Sequence, residues 1–291
     1  VLPRAAIREL RPIFENPESF WFAHNAKFDM AMLAVEGINI AGTIHCTEAL
    51  GRVERNDRFT YTLEALAKNI GYEKDDAVKK AIKELKLYTE VYNEEKGKKE
   101  KILHFDKVPF SIITKYGLQD AKITRELGLS QLKELARWEA IVPSNKPRLG
   151  KIIANEYQIT KTFFEMERTG IKVDVEYSRR AAEHEALRME AMRSDWWIKT
   201  GMEFIDSPLC LAPCFDKVGE LYPKTEKGNP SFAADVLDDM KSPLALMVLE
   251  FRDAQKRRNT YFRNFIKFAD KKSVLHASMR QSGTATGRIS Y

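Results

Sequence analysis

The spacing of apolar residues in the first part of the chain alternates between helical and extended patterns. Apolar residues three or four positions apart predict amphipathic helices, and the short run Phe20–Ala23 predicts a buried strand. The predicted elements are a helix over 2–14, the strand Phe20–Ala23, a helix over 27–35 ended by Gly37, a helix over 61–68 capped by Thr62, a charged helical region over 73–101, and a long helix over 108–135. Strands and helices in this order predict an α/β fold for this region.

Beyond a short connector the pattern becomes mainly helical. Pro143 and Pro147 frame this connector, which is the best candidate for a domain boundary. The elements predicted after it are a helix from 149 to Gly170, a short strand over 171–174, a charged helix over 175–199, an irregular segment over 208–228, a long amphipathic helix over 243–268, and a strand over 274–279. We therefore predict a first domain over 1–140 and a second over 141–291.

Composition and charge limit the classes of partner that these two regions are expected to bind. The chain of 291 residues has a formal net charge of +6 and a pI near 9.0, which fits a polyanion such as DNA. No run approaches the roughly 18 apolar residues of a membrane span, so no membrane partner is expected. Three cysteines without a framework spacing favour a reducing, cytoplasmic setting. Basic residues concentrate towards the end of the chain, at Arg252, Lys256, Arg257, Arg258, Arg263, Lys267, Lys271 and Lys272.

The segment 281–291 combines glycines, threonines and one arginine. Gly283 and Gly287 allow a close approach of the backbone to a large partner, and Arg288 is a planar cation suited to phosphates or base edges. By chemistry alone, such a segment is more often an ordinary loop. Its sequence, T-x-T-G-R-[IL]-S, resembles the start of the palm in family A DNA polymerases, the DNA polymerase I-like enzymes of bacteria and phages.

This resemblance implies that the segment contacts DNA. In that family the arginine of the motif lies in the minor groove at the primer terminus, and here that arginine is Arg288. Because the minor groove offers acceptors common to all base pairs, an arginine there tests pair geometry rather than sequence. Gln281, Thr284 and Thr286 are the other residues of the segment that we expect to contact DNA.

Two acidic residues in the first part of the chain are candidate metal ligands. Asp29 stands where the predicted strand passes into a helix, and at this position the residues alone favour a helix cap over a metal ligand. Tyr116 and Asp120 are four positions apart on one helical face. The Asp120 carboxylate can hold a metal while the phenol orients a water, or the two side chains can form a surface hydrogen bond.

The sequences N-x-x-F-D and Y-x-x-x-D, in this order, resemble the second and third motifs of the DEDD-type 3′–5′ proofreading exonuclease. The resemblance covers residues 1–138 and implies an RNase H-like fold. It also implies a site for two divalent ions, in particular Mg²⁺, in which Asp29 and Asp120 bind the metals and Tyr116 aligns the attacking water. Asn25 is expected to contact the DNA.

The exonuclease domain is predicted to be incomplete. The first motif of that family, D-x-E on an early strand, does not precede Asn25. Two carboxylates would leave the ions half-ligated, so we expect no nuclease activity from this chain as written. The metal-binding D-x-S-x-x-E-x-R and H-D-E motifs of the polymerase site are likewise not found between Val1 and Tyr291.

Two stretches of the second domain also resemble family A polymerases. Glu165–Asp174 resembles the helix–glycine–strand unit that opens the polymerase domain, and Glu250–Tyr261 resembles the thumb helix. The resemblance implies a mainly helical thumb over about 175–268 and the first palm strands over about 273–291. The thumb residues expected to contact DNA are Arg252, Lys256, Arg258 and Asn259.

Together these features predict a family A DNA polymerase with 3′–5′ proofreading, which copies primer–template DNA from deoxynucleotides in replication or repair. The chain is expected to be an internal part of that enzyme and to be inactive by itself. Two alternatives remain open. One is a stand-alone DEDD 3′–5′ exonuclease, and the other is a non-catalytic, DNA-binding half of a split polymerase.

Overall fold

The computed structural model describes residues 4–73, 75–93, 98–284, 286 and 288–290. The chain forms two compact units. The first comprises Val1–Thr169 and Ala277–Tyr291, and the second comprises Gly170–His276. Among the described residues, no helix has the length and apolar content needed to cross a lipid bilayer.

The first unit is built on a parallel pair of strands. In chain order its elements are α1 (Arg4–Glu9), α2 (Arg11–Phe14), β1 (Phe20–Ala23), α3 (Ala26–Val35), β2 (Thr43–Cys46), α4 (Thr47–Glu54), α5 (Leu63–Lys68), α6 (Ala77–Glu84), β3 (Tyr88–Asn93), β4 (Lys98–Leu103), α7 (Phe110–Ile141) and α8 (Leu149–Thr169). β1 and β2 pair in parallel, Phe20 with Thr43 and Ala23 with Cys46, and α3 makes the crossover that parallel strands require. The carboxyl ends of both strands therefore lie at one edge, where α3 and α4 begin.

Apolar side chains of the helices cover this strand pair. α7 packs against β1, and α8 packs against β2 and α3. The central core joins Met30, Ile44, Leu50, Leu135 and Phe164, each from a different element. Two smaller apolar clusters lie where α5 and α6 pack on α7. The core of the first unit is thus divided into several clusters that share the long helix α7.

Most helix and strand predictions for the first unit are confirmed. β1 is the predicted strand, the Thr62 hydroxyl caps α5 by accepting from the backbone N–H of Ala65 at 3.3 Å, and α7 extends the predicted helix to Ile141. The start of the helix predicted over 2–14 falls outside the described residues. The rest is divided into α1 and α2 at Leu10.

The prediction of a charged helical region over 73–101 is wrong for its second half. α6 occupies Ala77–Glu84, and β3 and β4 then form an antiparallel hairpin that pairs Tyr88 with Leu103. Aromatic and β-branched residues in these strands favour extended structure. The many lysines and glutamates of the same segment hide that preference when it is interpreted by charge alone.

The second unit is mainly helical. Its elements are β5 (Ile171–Lys172), α9 (Val175–Thr200), α10 (Pro208–Val218), α11 (Ala234–Met240), α12 (Pro243–Lys256), a π-helical turn (Arg257–Phe262), α13 (Arg263–Phe268) and β6 (Val274–Leu275). β5 and β6 pair antiparallel. Gly170 has φ +66°, and a Cβ there would lie 2.5 Å from the carbonyl oxygen of Leu275, so this position requires glycine.

The helices of the second unit surround a largely aromatic core. The rings of Trp196 and Phe204 meet edge to face at 5.0 Å, and Phe204 lies 4.3 Å from Phe251. Phe215 and Phe232 extend the same cluster. The long helix predicted over 243–268 is confirmed as α12, the π-helical turn and α13 in succession.

Two predictions for the second half of the chain need correction. The segment expected to be irregular contains α10, because Ser207 caps this helix through a hydrogen bond from the N–H of Cys210 and Pro208 occupies its first turn. The strand predicted over 274–279 is confined to Val274–Leu275.

Candidate functional site

Asp29 and Asp120 line the same cavity, whose volume is about 670 Å³. Asp29 comes from the first turn of α3, which starts at the carboxyl end of β1, and Asp120 comes from α7. The walls are largely apolar and include Phe22, Met32 and Ile44. The fold thus brings to one cavity the two carboxylates that the sequence motifs single out.

Among the described residues that line this cavity, none places a lysine or arginine beside the Asp29 carboxylate. Much of the residue remains accessible to solvent, yet its surroundings remove enough hydration to raise the pKa of Asp29 above its ordinary value. Burial is the cause of this shift, and within the described residues no hydrogen bond or ion pair to the carboxylate offsets it. A cation in the cavity would oppose the shift by attraction.

Tyr116 lies one helical turn from Asp120 but lines a different cavity. Its half-buried side chain packs against the cluster that includes Val78 and Val108. It contributes to the wall of a cavity of about 370 Å³ beside α6 and β3. The structure therefore separates Tyr116 from the cavity that Asp29 shares, and its alignment of a water stays a prediction.

Hydrogen bonds at the ends of β1 and β2 hold the turn from which α3 starts. The hydroxyl of Thr47 donates to the carbonyl of Ala23 at 3.3 Å and lies 3.0 Å from Nδ1 of His24. Gln131 Nε2 on α7 donates to the carbonyl of Thr47 at 2.9 Å. The turn that places Asp29 is therefore connected to the second strand and to α7.

His45 is a fully buried member of this network. The Gln131 amide nitrogen donates to the carbonyl of Thr47, so the amide oxygen Oε1 is the atom that faces Nε2 of His45, at 3.0 Å. Because Oε1 can only accept, Nε2 of His45 carries the ring proton. Nδ1 of His45 then accepts from the Tyr157 hydroxyl at 3.0 Å. Burial lowers the pKa of His45, which keeps the imidazole neutral. No sequence motif identifies this histidine, which lies in the short strand β2 with the sequence Thr-Ile-His-Cys.

A second cavity, of about 720 Å³, borders the start of α3. Asn25, Glu48, Phe59 and Tyr61 line it together with residues 278–283. Asn25 has φ 56° and ψ 53°, a left-handed conformation that asparagine adopts more readily than most residues. Phe59 is fully exposed at this cavity. An exposed aromatic ring beside polar groups can stack on a nucleic-acid base.

Polar side chains fix the last part of the chain to the first unit. Gln281 Nε2 donates to Glu156 Oε2 at 2.8 Å, and its Oε1 accepts from the Thr160 hydroxyl at 2.9 Å. The carbonyl of Ser282 accepts from Nη1 of Arg52 at 2.9 Å. The Gln281 amide is therefore used within the protein, and its contact with DNA stays a prediction.

Arg288 lies on a loop that its own hydrogen bonds close. Arg280 and Ser290 exchange backbone hydrogen bonds of 2.7 and 3.3 Å at the base of the loop. Thr284 Oγ1 donates to the carbonyl of Arg288 at 2.7 Å. The side chains of Arg288 and Thr286 are exposed, which leaves them accessible to a large partner.

The predicted DNA-binding residues of the second unit differ in what they contact within the protein. Arg252 donates to both carboxylate oxygens of Asp206 at 2.6–3.1 Å and to a backbone carbonyl at 2.6 Å. Arg258 donates to the side-chain oxygen of Asn259 at 3.2 Å. Lys256 is exposed. Arg252 is thus engaged in an internal ion pair, and DNA contacts by these residues stay predictions.

The residues of the cavity shared by Asp29 and Asp120 fit part of a magnesium site. Mg²⁺ prefers hard oxygen ligands, keeps several waters, and is commonly bound through one or two carboxylates together with substrate phosphates. The uncompensated charge of Asp29 is what such an ion would neutralise. Across the described ranges, no group of three or more His, Cys, Asp or Glu side chains is arranged to hold a metal ion.

Family models match both parts of the chain. Residues 2–136 match the 3′–5′ exonuclease model, and residues 175–291 match the model of DNA polymerase family A. The boundary predicted at residue 140 lies in the interval between these two matches, and it stays a prediction.

Individual relatives agree with the models. DNA polymerase DpoZ of Vibrio phage phiVC8 is 26% identical over 95% of this chain and 48% of its own length. DNA polymerase I of Chloroflexus aurantiacus is 29% identical over 98% of this chain and 29% of its own length. The chain therefore spans half or less of these relatives.

A solved structure shows the same fold. The POL domain of Pol1 from M. smegmatis, in complex with DNA primer–template and dNTP, matches with a TM-score of 0.72 at 20% identity, over 100% of this chain and 44% of that chain. At this identity the likeness concerns the fold alone. The family models and the named relatives show that residues 175–291 are similar to DNA polymerase family A and that a region similar to a 3′–5′ exonuclease, residues 2–136, precedes them.

Proposed function

We propose that the protein containing this chain copies primer–template DNA from deoxynucleotides and excises mispaired 3′ ends. The observation that carries the proposal is the cavity shared by Asp29 and Asp120, because two carboxylates from distant parts of the sequence converge there. Raising the pKa of Asp29 by burial costs stability. Such a cost is typical of a functional site rather than of a helix cap.

For excision, Asp29 and Asp120 are the residues that would hold Mg²⁺, which when bound would supply positive charge for activating water and stabilising the reacting phosphate. The neighbouring cavity of about 720 Å³ receives the single-stranded 3′ end. Phe59 stacks on a base there, and Asn25 offers its amide to the strand. The hydrogen bonds of Thr47 and Gln131 keep Asp29 in place during this step.

In extension, the exposed Arg288 contacts the minor groove at the primer end, and Thr286 supports it through its hydroxyl. Lys256 on α12 contacts a phosphate of the duplex. Because each neutralised phosphate contributes about 0.9 to the slope of log affinity against log salt, loss of Lys256 lowers that slope by about one.

The test is excision and extension by the complete protein that contains these residues. Replacing Asp29 or Asp120 by Asn is expected to lower Mg²⁺-dependent degradation of single-stranded DNA at least about 100-fold, because a direct ligand of the metal is lost. Extension is expected to stay intact. Arg288→Ala is expected to slow extension and leave excision unchanged.

Asp106→Asn is the matched control, since Asp106 is an exposed acidic residue of the same unit. Full excision by the Asp29→Asn protein would remove the exonuclease assignment. Excision without any extension by the wild-type protein would instead favour a stand-alone exonuclease.

A further inference from the structure

Lys27 is a charged residue that the fold keeps away from water. It is the second residue of α3, two positions before Asp29, and 13% of its side chain is exposed. Nζ of Lys27 donates to a carboxylate oxygen of Glu167 and to the carbonyl of Met279, and it lies 5.8 Å from the centre of the Phe163 ring. An ammonium group loses most of its hydration in such a place, which is unfavourable unless partners replace the water. A single lysine near the start of a helix more often faces solvent.

Glu167 and Lys27 together satisfy both backbone polar groups of a single residue. The N–H of Met279 donates to Glu167, and the carbonyl of Met279 accepts from Lys27. Glu167 stands in the last turn of α8, and 21% of its side chain is exposed. Met279 lies outside β6, so these two side chains supply the hydrogen bonds that a neighbouring strand would otherwise offer.

The residue that follows Met279 closes the loop of Arg288. Arg280 exchanges backbone hydrogen bonds with Ser290. The helix that carries Asp29 is therefore connected to the base of the Arg288 loop by a short series of direct contacts: Lys27 to Met279, then Arg280, then Ser290.

We propose that Lys27, in the exonuclease region, and Glu167, at the end of α8, are positioning residues of the polymerase reaction, which fix the base of the Arg288 loop. The consequence for catalysis rests on the proposed function, whereas the contact itself does not. The partly buried ion pair holds Met279 by two hydrogen bonds, and a loop held at its base keeps Arg288 in one place relative to the primer end. α3 has its own backbone bonds and the Thr47 network, so loss of Lys27 leaves Asp29 in position.

The first measurement is amide hydrogen exchange in the chain itself. In Lys27→Met, the amides of Met279 and Arg280 are expected to exchange at least about 10-fold faster, because local opening of the segment becomes easier. Lys27→Arg retains a donor and a charge and is expected to keep exchange within about twofold of the wild type. Lys151→Met is the matched control, since Lys151 is exposed on α8.

The second measurement is made with the complete protein. Lys27→Met and Glu167→Gln are each expected to lower extension from a paired primer about 5- to 10-fold, mainly through a higher KM for primer–template. Because Lys27 and residues 278–283 also line the cavity of about 720 Å³, excision of single-stranded DNA is expected to fall as well, but by less than extension, so that the ratio of excision to extension rises. The double variant is expected to be no worse than Lys27→Met, because both changes break the same pair.

Three results overturn the proposal. Unchanged exchange with weaker excision would show that Lys27 binds a DNA phosphate instead. Faster exchange with unchanged extension would show that the pair supports folding without positioning Arg288. If Lys27→Arg lost as much extension as Lys27→Met, a retained donor and charge would not preserve the function, contrary to the proposal. A wild-type protein that neither extends nor excises would contradict the proposed function. The exchange data would still test the contact between Lys27 and Met279, because they do not depend on activity.

Discussion

The interior of the first unit contains His45, Gln131 and Thr47 among its apolar side chains, whereas the interior of the second unit is filled mostly by aromatic and aliphatic groups around Phe215 and Phe251. In the first unit the buried polar atoms bond to one another and to the turn before α3. In the second unit the rings pack in one continuous cluster.

This difference matches what each of the two proposed sites requires. Asp29 must stand at a defined place in a cavity between helices, and a fully satisfied buried network specifies one arrangement of the elements that form it. Lys256 projects from the surface of α12, which requires only a helix that is firmly packed on its other side. A divided core with polar connections therefore accompanies the cavity site, and a continuous apolar core accompanies the surface site.

The largest effect is expected in the aromatic core of the second unit. Phe251→Ala should lower the free energy of unfolding by about 3–5 kcal/mol, because a fully buried ring is lost and a cavity remains. Urea unfolding measures the loss, and hydrogen exchange should place it in α12 rather than in β1 and β2. Leu246→Ala, on the exposed side of the same helix, should cost less than about 1 kcal/mol. Equal losses would contradict the description of this core.

The polar network of the first unit should come next. Gln131→Ala is expected to cost about 2 kcal/mol, because the N–H of His45 and the carbonyl of Thr47 lose their buried partner. Faster hydrogen exchange in β2 and at the start of α3 would locate the effect. Gln158→Ala is the control, since Gln158 is exposed on α8. If both variants unfold at the same urea concentration, the network does not hold the turn.

The pH dependence of stability should separate the two units further. Burial lowers the pKa of His45, so the folded chain binds this proton less readily than the unfolded chain. The contribution of His45 to the free energy of unfolding is therefore fully present above its ordinary pKa of 6.5. It is lost as the pH falls below that value, by at most about 1.4 kcal/mol per pH unit.

Hydrogen exchange at pH 7.5 and pH 5.5 checks this expectation in β2, with the amides of α12 as an internal reference. His45→Gln should remove most of the dependence. His184→Asn, at an exposed position in the second unit, should leave it in place. A stability of β2 that is constant from pH 7.5 to 5.5 would count against a neutral, buried His45.

The smallest effect is expected at Asp29 and has the opposite sign. Because burial raises the pKa of Asp29, its ionised form is disfavoured in the folded chain, and the resulting loss of stability grows as the pH rises from 3.8 through the raised pKa. Asp29→Asn should therefore raise the melting temperature at pH 7, by about 1–2 °C after allowance for the solvent that reaches the residue.

Adding Mg²⁺ should stabilise the wild-type chain more than the Asp29→Asn variant. Asp106→Asn should change neither the melting temperature nor its response to Mg²⁺. A lower melting temperature for Asp29→Asn would show that the carboxylate acts as a structural cap, which is the interpretation that the residues alone favour.

Helices with a regular apolar stripe could be predicted because their contacts are local. α8 and α12 follow from apolar residues three or four positions apart, and each helix makes its backbone bonds within itself. The hairpin of β3 and β4 could not be recognised by charge, since its stability depends on cross-strand pairs such as Tyr88 with Leu103. Gly283 lies against Ser290, a contact that the sequence does not show: a Cβ on Gly283 would lie 1.7 Å from the Ser290 hydroxyl oxygen, so the Ser290 side chain would have to move.

By itself, the sequence determined the helices, the two acidic motifs, the Arg288 motif and the family resemblance, because each depends on residues close together in the chain. Only the tertiary structure decided that Asp29 and Asp120 share a cavity, that Tyr116 lines another, and that Lys27 is bound rather than free. These outcomes depend on which surfaces of α3, α7 and α8 face one another. The packing of distant elements sets that arrangement, and a local pattern of residues does not specify it.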